Sequence, residues 1–175
     1  MANADLHNHL GRNGDNPGFD ETIDIAYSRL GEGGIFGIAN CDDYRYEAFV
    51  GQKRGKYNRE NKRCAVYIPE KDILVVKCQE MFTDKGDVLA IAMPHGRNIK
   101  SKKTELAIKQ AYFDFKAGLD AVHPFYLDGV GKFLKENPSF LLFFSTLEVF
   151  NASAVWIPGI TPRDANEKAF AHYFC

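Results

Sequence analysis

The chain begins with a group of side chains suited to binding metal. Asp5-Leu6-His7-Asn8-His9 places a carboxylate and two imidazoles at alternate positions. In an extended strand, side chains two residues apart point to the same side. Asp5, His7 and His9 are therefore expected on one face at the end of a first strand. Two imidazoles and a carboxylate suit zinc, manganese or iron. A Gly-Arg-Asn-Gly loop follows at once, and its Arg12 is placed to steady the leaving side of a phosphate.

Later positions offer matching chemistry. His123-Pro124 ends the apolar run Leu119–Val122, and the proline forces the chain into a loop. Read alone, that histidine serves equally well as a satisfied structural residue. Glu80 closes the run Val75-Val76-Lys77-Cys78-Gln79-Glu80. A carboxylate there is costly unless it is paired or ligating. Glu148, inside Leu147-Glu148-Val149-Phe150, either hydrogen-bonds loop backbone or approaches the site. Acid and imidazole groups thus fall at the ends of several strands, where α/β barrels gather their catalytic residues.

The elements that must position these groups are strands at Asp5–His9, Ile35–Asn40, Ala65–Ile68, Ile73–Met81, Val88–Met93, Leu119–Pro124 and Thr146–Phe150. Several are continuous apolar runs, as in strands covered on both faces. Helices are expected from Asp20, as cap, through Leu30, from Ser101 or Thr104 to Gly118, over Val130–Glu136, and from Asp164 to Phe174. Strands alternating with helices imply βα units and a parallel arrangement. The polar interval Tyr44–Lys62 reads as a surface loop with one helical turn at Glu47–Val50.

With 175 residues, 45% apolar and 26% charged, the chain fits one domain over 1–175. A net charge of −1 gives no global field toward nucleic acid or membrane. No apolar run is long enough to span a membrane, and the N-terminus has no secretory pattern. Four cysteines without C-x-x-C spacing suggest reduced thiols and a cytoplasmic setting.

Taken together, the motifs resemble those of the polymerase-and-histidinol-phosphatase (PHP) family, over essentially the whole chain. Asp5-Leu6-His7-Asn8-His9 resembles its opening D-x-H-x-H, Cys78-Gln79-Glu80 its G-x-E, His123-Pro124 its fourth motif, and Glu148-Val149-Phe150-Asn151 its E-x-x-N. The resemblance implies an α/β fold, a distorted (β/α)7 barrel with divalent metals at one rim. It implies His7, His9 and Glu80 as ligands, with Glu80 bridging two ions, and His123 on the second ion. It also makes His95 a ligand, with Asp87 competing for that role and Asp5 a further candidate. The family's T-D-H-D or T-D-H-N reads Ala39-Asn40-Cys41-Asp42-Asp43 here, so Cys41, Asp42 or Asp43 is a substitute ligand or catalytic group and two ions are expected rather than three. The family's final G-S-D-x-H is absent, so a barrel incomplete at the C-terminus is implied, along with a missing C-terminal segment or an oligomer that completes it.

The expected reaction is metal-dependent hydrolysis of a phosphate ester, a phosphomonoester or a nucleotide or nucleic-acid phosphodiester. Arg54 and Lys56, in a basic loop directly after the second motif, are expected to meet substrate phosphate. The partner would be a phosphorylated small molecule or nucleic acid, with no membrane. The alternative is a degenerate, metal-poor scaffold acting as a binding or regulatory module. A third reading, an amidohydrolase-type barrel acting on C–N bonds, lacks the later lysine or histidine pair that it needs.

Overall fold

A computed structural model describes residues 3–11, 18–53, 64–124 and 129–148. Its elements are β1 (Ala4–Asn8), α1 (Phe19–Leu30), β2 (Gly34–Asn40), α2 (Arg45–Gly51), β3 (Ala65–Ile68), β4 (Ile73–Met81), β5 (Val88–Ile91), α3 (Thr104–Lys109), β6 (Gly118–Ala121), α4 (Gly131–Glu136) and β7 (Thr146–Leu147). A π-helical turn at Gln110–Asp114 continues α3, and a 3-10 turn at Pro138–Phe143 follows α4. The expected helix at 164–174 lies outside the described residues. Among the described residues, no helix is long and apolar enough to cross a membrane.

All seven strands join one mixed sheet, in the order β1-β2-β4-β5-β6-β7, with β3 also on β4. The parallel arrangement expected from the pattern holds only in part. β1, β2 and β4 are parallel, as are β6 and β7, while β3 and β5 run antiparallel to β4, and β5 to β6. The links Pro69–Asp72 and Phe82–Asp87 are too short for the crossover that parallel neighbours require. Both antiparallel strands share one edge of β4: β3 pairs its first half, Ile73–Val76, and β5 its second, Cys78–Met81.

The sheet is curled into a half-barrel. Neighbouring strands lie about 4.8 Å apart, so a flat sheet would hold β1 and β6 roughly 19 Å apart across four intervals. Instead the rings of His7, on β1, and His123, just after β6, stack with centroids 6.2 Å apart. The concave face therefore brings the two flanks of the sheet together.

Alternation along β4 sorts the two faces. Ile73 and Val75 pack outward against α1 and α2, with Phe19, Ile23, Tyr46, Phe49 and Val50. Met81, also outward, joins Ile108, Ala111, Leu119 and Leu134 beneath α3 and α4. Val76 and Cys78 point inward and meet Ala39, Leu89 and Val122. Helix α2 is longer than the single turn expected inside 44–62, because Tyr46, Phe49 and Val50 recur at helical spacing and are all buried. The first helix starts at Phe19 with Gly18 before it, and Asp20 does not cap it but pairs with Lys53 at 2.8 Å. Gly31, at φ 75°, ends that helix and donates to Tyr27 O.

Between the outer clusters runs a buried polar seam. Lys77, wholly buried, donates to Glu47 Oε1 at 2.5 Å and to the carbonyls of Pro94 and Arg97 at 3.1 and 2.5 Å. Gln79 exchanges two hydrogen bonds with the backbone of Ile99, at 2.7 and 2.8 Å. The bonds to Pro94, Arg97 and Ile99 tie the segment after β5 to β4, so that segment is fixed without regular structure.

Candidate metal centre

The parallel strands β1, β2, β4, β6 and β7 all end at the same rim. β5 runs the other way, so its start reaches that rim. Glu80, the next-to-last residue of β4, stands at the middle, with its side chain 7% exposed. His7 Nε2 lies 3.2 Å from Glu80 Oε1, His9 Nε2 3.1 Å from Oε2, and His123 Nε2 3.4 Å from Oε1. His7 and His9 approach each other at 3.1 Å through their Nε2 atoms. Two groups with metal-ligand donors result, His7–His9–Glu80 and Glu80–Asp87–His123, each with its donor atoms within 4.8 Å of one another. Glu80 belongs to both.

The spacing fits a cation. Ligands about 2.0–2.2 Å from one ion stand roughly 3.0 Å apart in octahedral and 3.4 Å apart in tetrahedral geometry. The 3.1 Å between the two Nε2 atoms, and the 3.2 and 3.1 Å from them to Oε1 and Oε2 of the one carboxylate, are near that range. Hydrogen bonds alone serve such a triangle poorly, because each Nε2 carries at most one proton. Burial works against ionisation of Glu80, yet hydrogen bonds from His123, His7 and His9 outweigh it and hold the carboxyl far below the ordinary carboxylate range. A fixed anion facing three imidazoles suits a divalent cation.

Local sequence features make this convergence possible. Between Asp5 and Asn8 the register of β1 on β2 slips, Asp5 pairing with Phe36 and Asn8 with Ile38. Such irregularities re-aim side chains beside sites. Asp5 is accordingly absent from both metal groups, and its carbonyl accepts from Asn8 Nδ2 instead. Gly37 lets β1 lie against β2: a Cβ there would stand 2.3 Å from Leu6 O. His123 takes φ 30°, a conformation uncommon outside glycine, and its N–H donates to Glu148 Oε2 at 2.5 Å. Glu148 thus holds loop backbone, one of the two roles expected of it.

The remaining candidates divide. Cys41 Sγ sits 3.3 Å from His9 Nδ1 and 3.6 Å from Glu80 Oε2, beside the first group. Burial pushes its thiol up to about 12, with Glu80 adding to the shift and Arg45 opposing it. Asp87, 6% exposed, is placed with Glu80 and His123. His95 is outside both groups and packs edge-on against Tyr46 at 6.1 Å. Asp42, at φ 54°, pairs with Lys102 on the surface and is likewise outside them. Asn40 is wholly buried and structural: its amide donates to Glu47 and its oxygen accepts the Tyr46 N–H at 2.9 Å. Arg12, Arg54 and Lys56 lie outside the described residues.

One residue of the rim was passed over in the sequence. Asp120, on β6, is near enough to His7 and His123 for their charge to bear on it. Burial pushes its carboxyl up, against a hydrogen bond from Thr146 and with Glu148 adding to the rise. The signal was a lone aspartate inside the run Leu119–Val122.

Comparison with family models, with curated proteins and with solved structures gave no match for this chain. What the fold and site define is an α/β half-barrel with a histidine–carboxylate cluster that could bind metal at one rim.

Proposed function

We propose that the chain hydrolyses phosphate esters at a divalent-metal centre held by His7, His9, Glu80, Asp87 and His123. The observation that carries this reading is Glu80, one buried carboxylate common to two donor groups. Two zinc, manganese or iron ions bound there would lower the pKa of a shared water and neutralise the non-bridging oxygens of a phosphate.

The protein's own residues supply position and shielding. His7, His9 and His123 present Nε2 toward Glu80; ligation of an ion through these atoms would place the proton of each neutral ring on Nδ1. Cys41 Sγ stands where it can accept the Nδ1 proton of His9. Glu148 keeps His123 in its unusual backbone conformation. Ala39, Cys78, Leu89 and Val122 wall the concave side and keep water from reaching the centre from behind.

The order of motifs along the chain supports placement in the PHP family, with a fold of the distorted (β/α)7 type. Asn40 acts as a structural amide where that family has an acidic ligand, which favours two ions over three. The substrate is a phosphomonoester or phosphodiester, and the basic stretch from Lys53 to Arg63 favours a phosphate-rich one. The unpaired Cys41, Cys64 and Cys78 suit a reducing, cytoplasmic setting.

The test combines metal counting by plasma emission with turnover of 4-nitrophenyl phosphate, bis(4-nitrophenyl) phosphate and an amide control. Tightly held metal and phosphoester turnover are expected, both largely lost in His7→Ala and Glu80→Ala. A folded protein that retains no ion after dialysis against manganese or zinc would refute the enzyme and favour the scaffold.

A further inference from the structure

Arg45 opens α2, in the turn that follows β2. Asp43, two residues earlier, organises that turn. Its Oδ1 accepts the backbone N–H of Cys41 at 3.2 Å and that of Arg45 at 3.4 Å, while Oδ2 accepts Nε of the Arg45 guanidinium at 2.5 Å. Asn98 Nδ2 donates to the carbonyl of Asp43 and ties the same turn to the segment after β5. The guanidinium is therefore fixed in one tight turn with Cys41, whose sulfur touches both His9 and Glu80.

The pairing with Asp43 uses Nε and leaves the rest of the fork. Nη1 is buried, yet it meets no acceptor among the described residues. A buried donor left unmatched is costly, and for a charged group more so. A guanidinium offers paired donors that match the oxygens of a phosphate.

We propose that Arg45 receives a phosphoryl oxygen of the substrate, a small shift of its partly exposed side chain giving the buried Nη1 the acceptor that the protein does not provide. The assignment rests on the phosphoesterase reading for the identity of the anion, and it makes Asp43 a positioning residue that aims the fork. No bond is made or broken by Arg45. Its contribution is to bind and orient a phosphate beside the carboxylate–imidazole cluster.

The experiment is calorimetric titration of inorganic phosphate into the manganese-loaded protein, for the unsubstituted chain, Arg45→Gln and Arg45→Lys. Metal content and melting curves are measured alongside. Arg45→Gln should weaken phosphate binding roughly 10- to 100-fold, the scale of one hydrogen bond to a charged group. Arg45→Lys should recover part of the loss, since it keeps the charge without the fork. Metal content should be unchanged in both. Wild-type phosphate affinity in Arg45→Gln would overturn the proposal. So would loss of metal together with phosphate in both variants, which would mean that the guanidinium acts through the metal centre. The outcome is separable from the function itself. Turnover that persists with unchanged phosphate affinity in Arg45→Gln removes Arg45 alone. Arg45-dependent phosphate binding without turnover of any ester removes the hydrolase and leaves the anion site standing.

Discussion

Substituting Gly129 with alanine tests whether close backbone approach sets the position of His123. Gly129 precedes α4 and lies under the turn after β6. A Cβ built on it stands 2.1 Å from His123 O and 2.6 Å from Pro124 C, whereas ordinary contact begins at 3.4 Å. The shortfall against His123 is 1.3 Å, and the obstruction is backbone, which cannot swing aside as a long side chain would. The backbone of Gly86 also lies close to Gly129, since a Cβ built on Gly86 would stand 2.4 Å from Gly129 C, and it leaves Gly129 little room to retreat. The turn carrying His123 must therefore move by about 1 Å, and a misplacement of that size costs roughly 100-fold in rate. Overpacking of this kind destabilises a fold by about 1–3 kcal/mol, so the variant should still fold. The assay is metal content and phosphoester turnover beside a thermal melt, with Gly51→Ala as control because nothing lies within 4 Å of its Cβ position. Gly129→Ala should lose part of its bound metal and about 100-fold in turnover. Gly51→Ala should match the unsubstituted chain. Full metal content and turnover in Gly129→Ala would refute the claim that this approach holds His123 at the centre.

Two further outcomes concern the scaffold. Lys77→Met should lower stability to urea by about 3 kcal/mol, the lower end for a buried pair because Glu47 is only partly buried, and the double variant Lys77→Met/Glu47→Gln should recover part of that loss. A single-variant loss under about 1 kcal/mol, the scale of an exposed pair, would show that the seam is solvated. Asp84 accepts the Thr104 N–H at the start of α3, together with the Lys103 ammonium and the Thr104 hydroxyl, and these hold its carboxyl down at about 2 from the ordinary 3.8. Since the folded value is the lower one, its contribution is fully present above the unfolded value and fades as pH falls through about 2. Carboxyl NMR should follow that titration, and the melting temperatures of Asp84→Asn and the unsubstituted chain should converge at the acid end. A constant gap between them across the acid range would count against the assignment.

The donors of the centre were legible for a simple reason: His7, His9, Glu80 and His123 stand at the ends of parallel apolar runs, and such ends share a rim. What could not be read was strand direction. With β5 antiparallel, its start rather than its end reaches the rim, which places Asp87 at the centre and carries His95 away toward Tyr46. Strict alternation likewise put Asp5 with the histidines, whereas neither donor group includes it, and the register slip between Asp5 and Asn8 leaves no mark in residue type. Asn40 was read as a lost ligand, while its role in pinning α2 depends on Glu47 and Tyr46, which only folding brings beside it. Arg45 lay unnoticed at the start of a charged interval. Its distinguishing feature is an unmatched buried nitrogen, which belongs to the fold and not to the composition.

The curl that stacks His7 on His123 also has a consequence for the order of assembly. The rim draws on residues from one flank of the sheet to the other, so its contacts span nearly all of the described chain. Contacts of such long sequence separation close late, after the local hairpins of β3, β4 and β5 have formed. On a ribosome, the first histidines emerge long before the turn and carboxylate that complete their surroundings. A nascent chain therefore gathers His7, His9 and Glu80 once β4 has joined β1 and β2, and completes the second group only when β6 brings in His123.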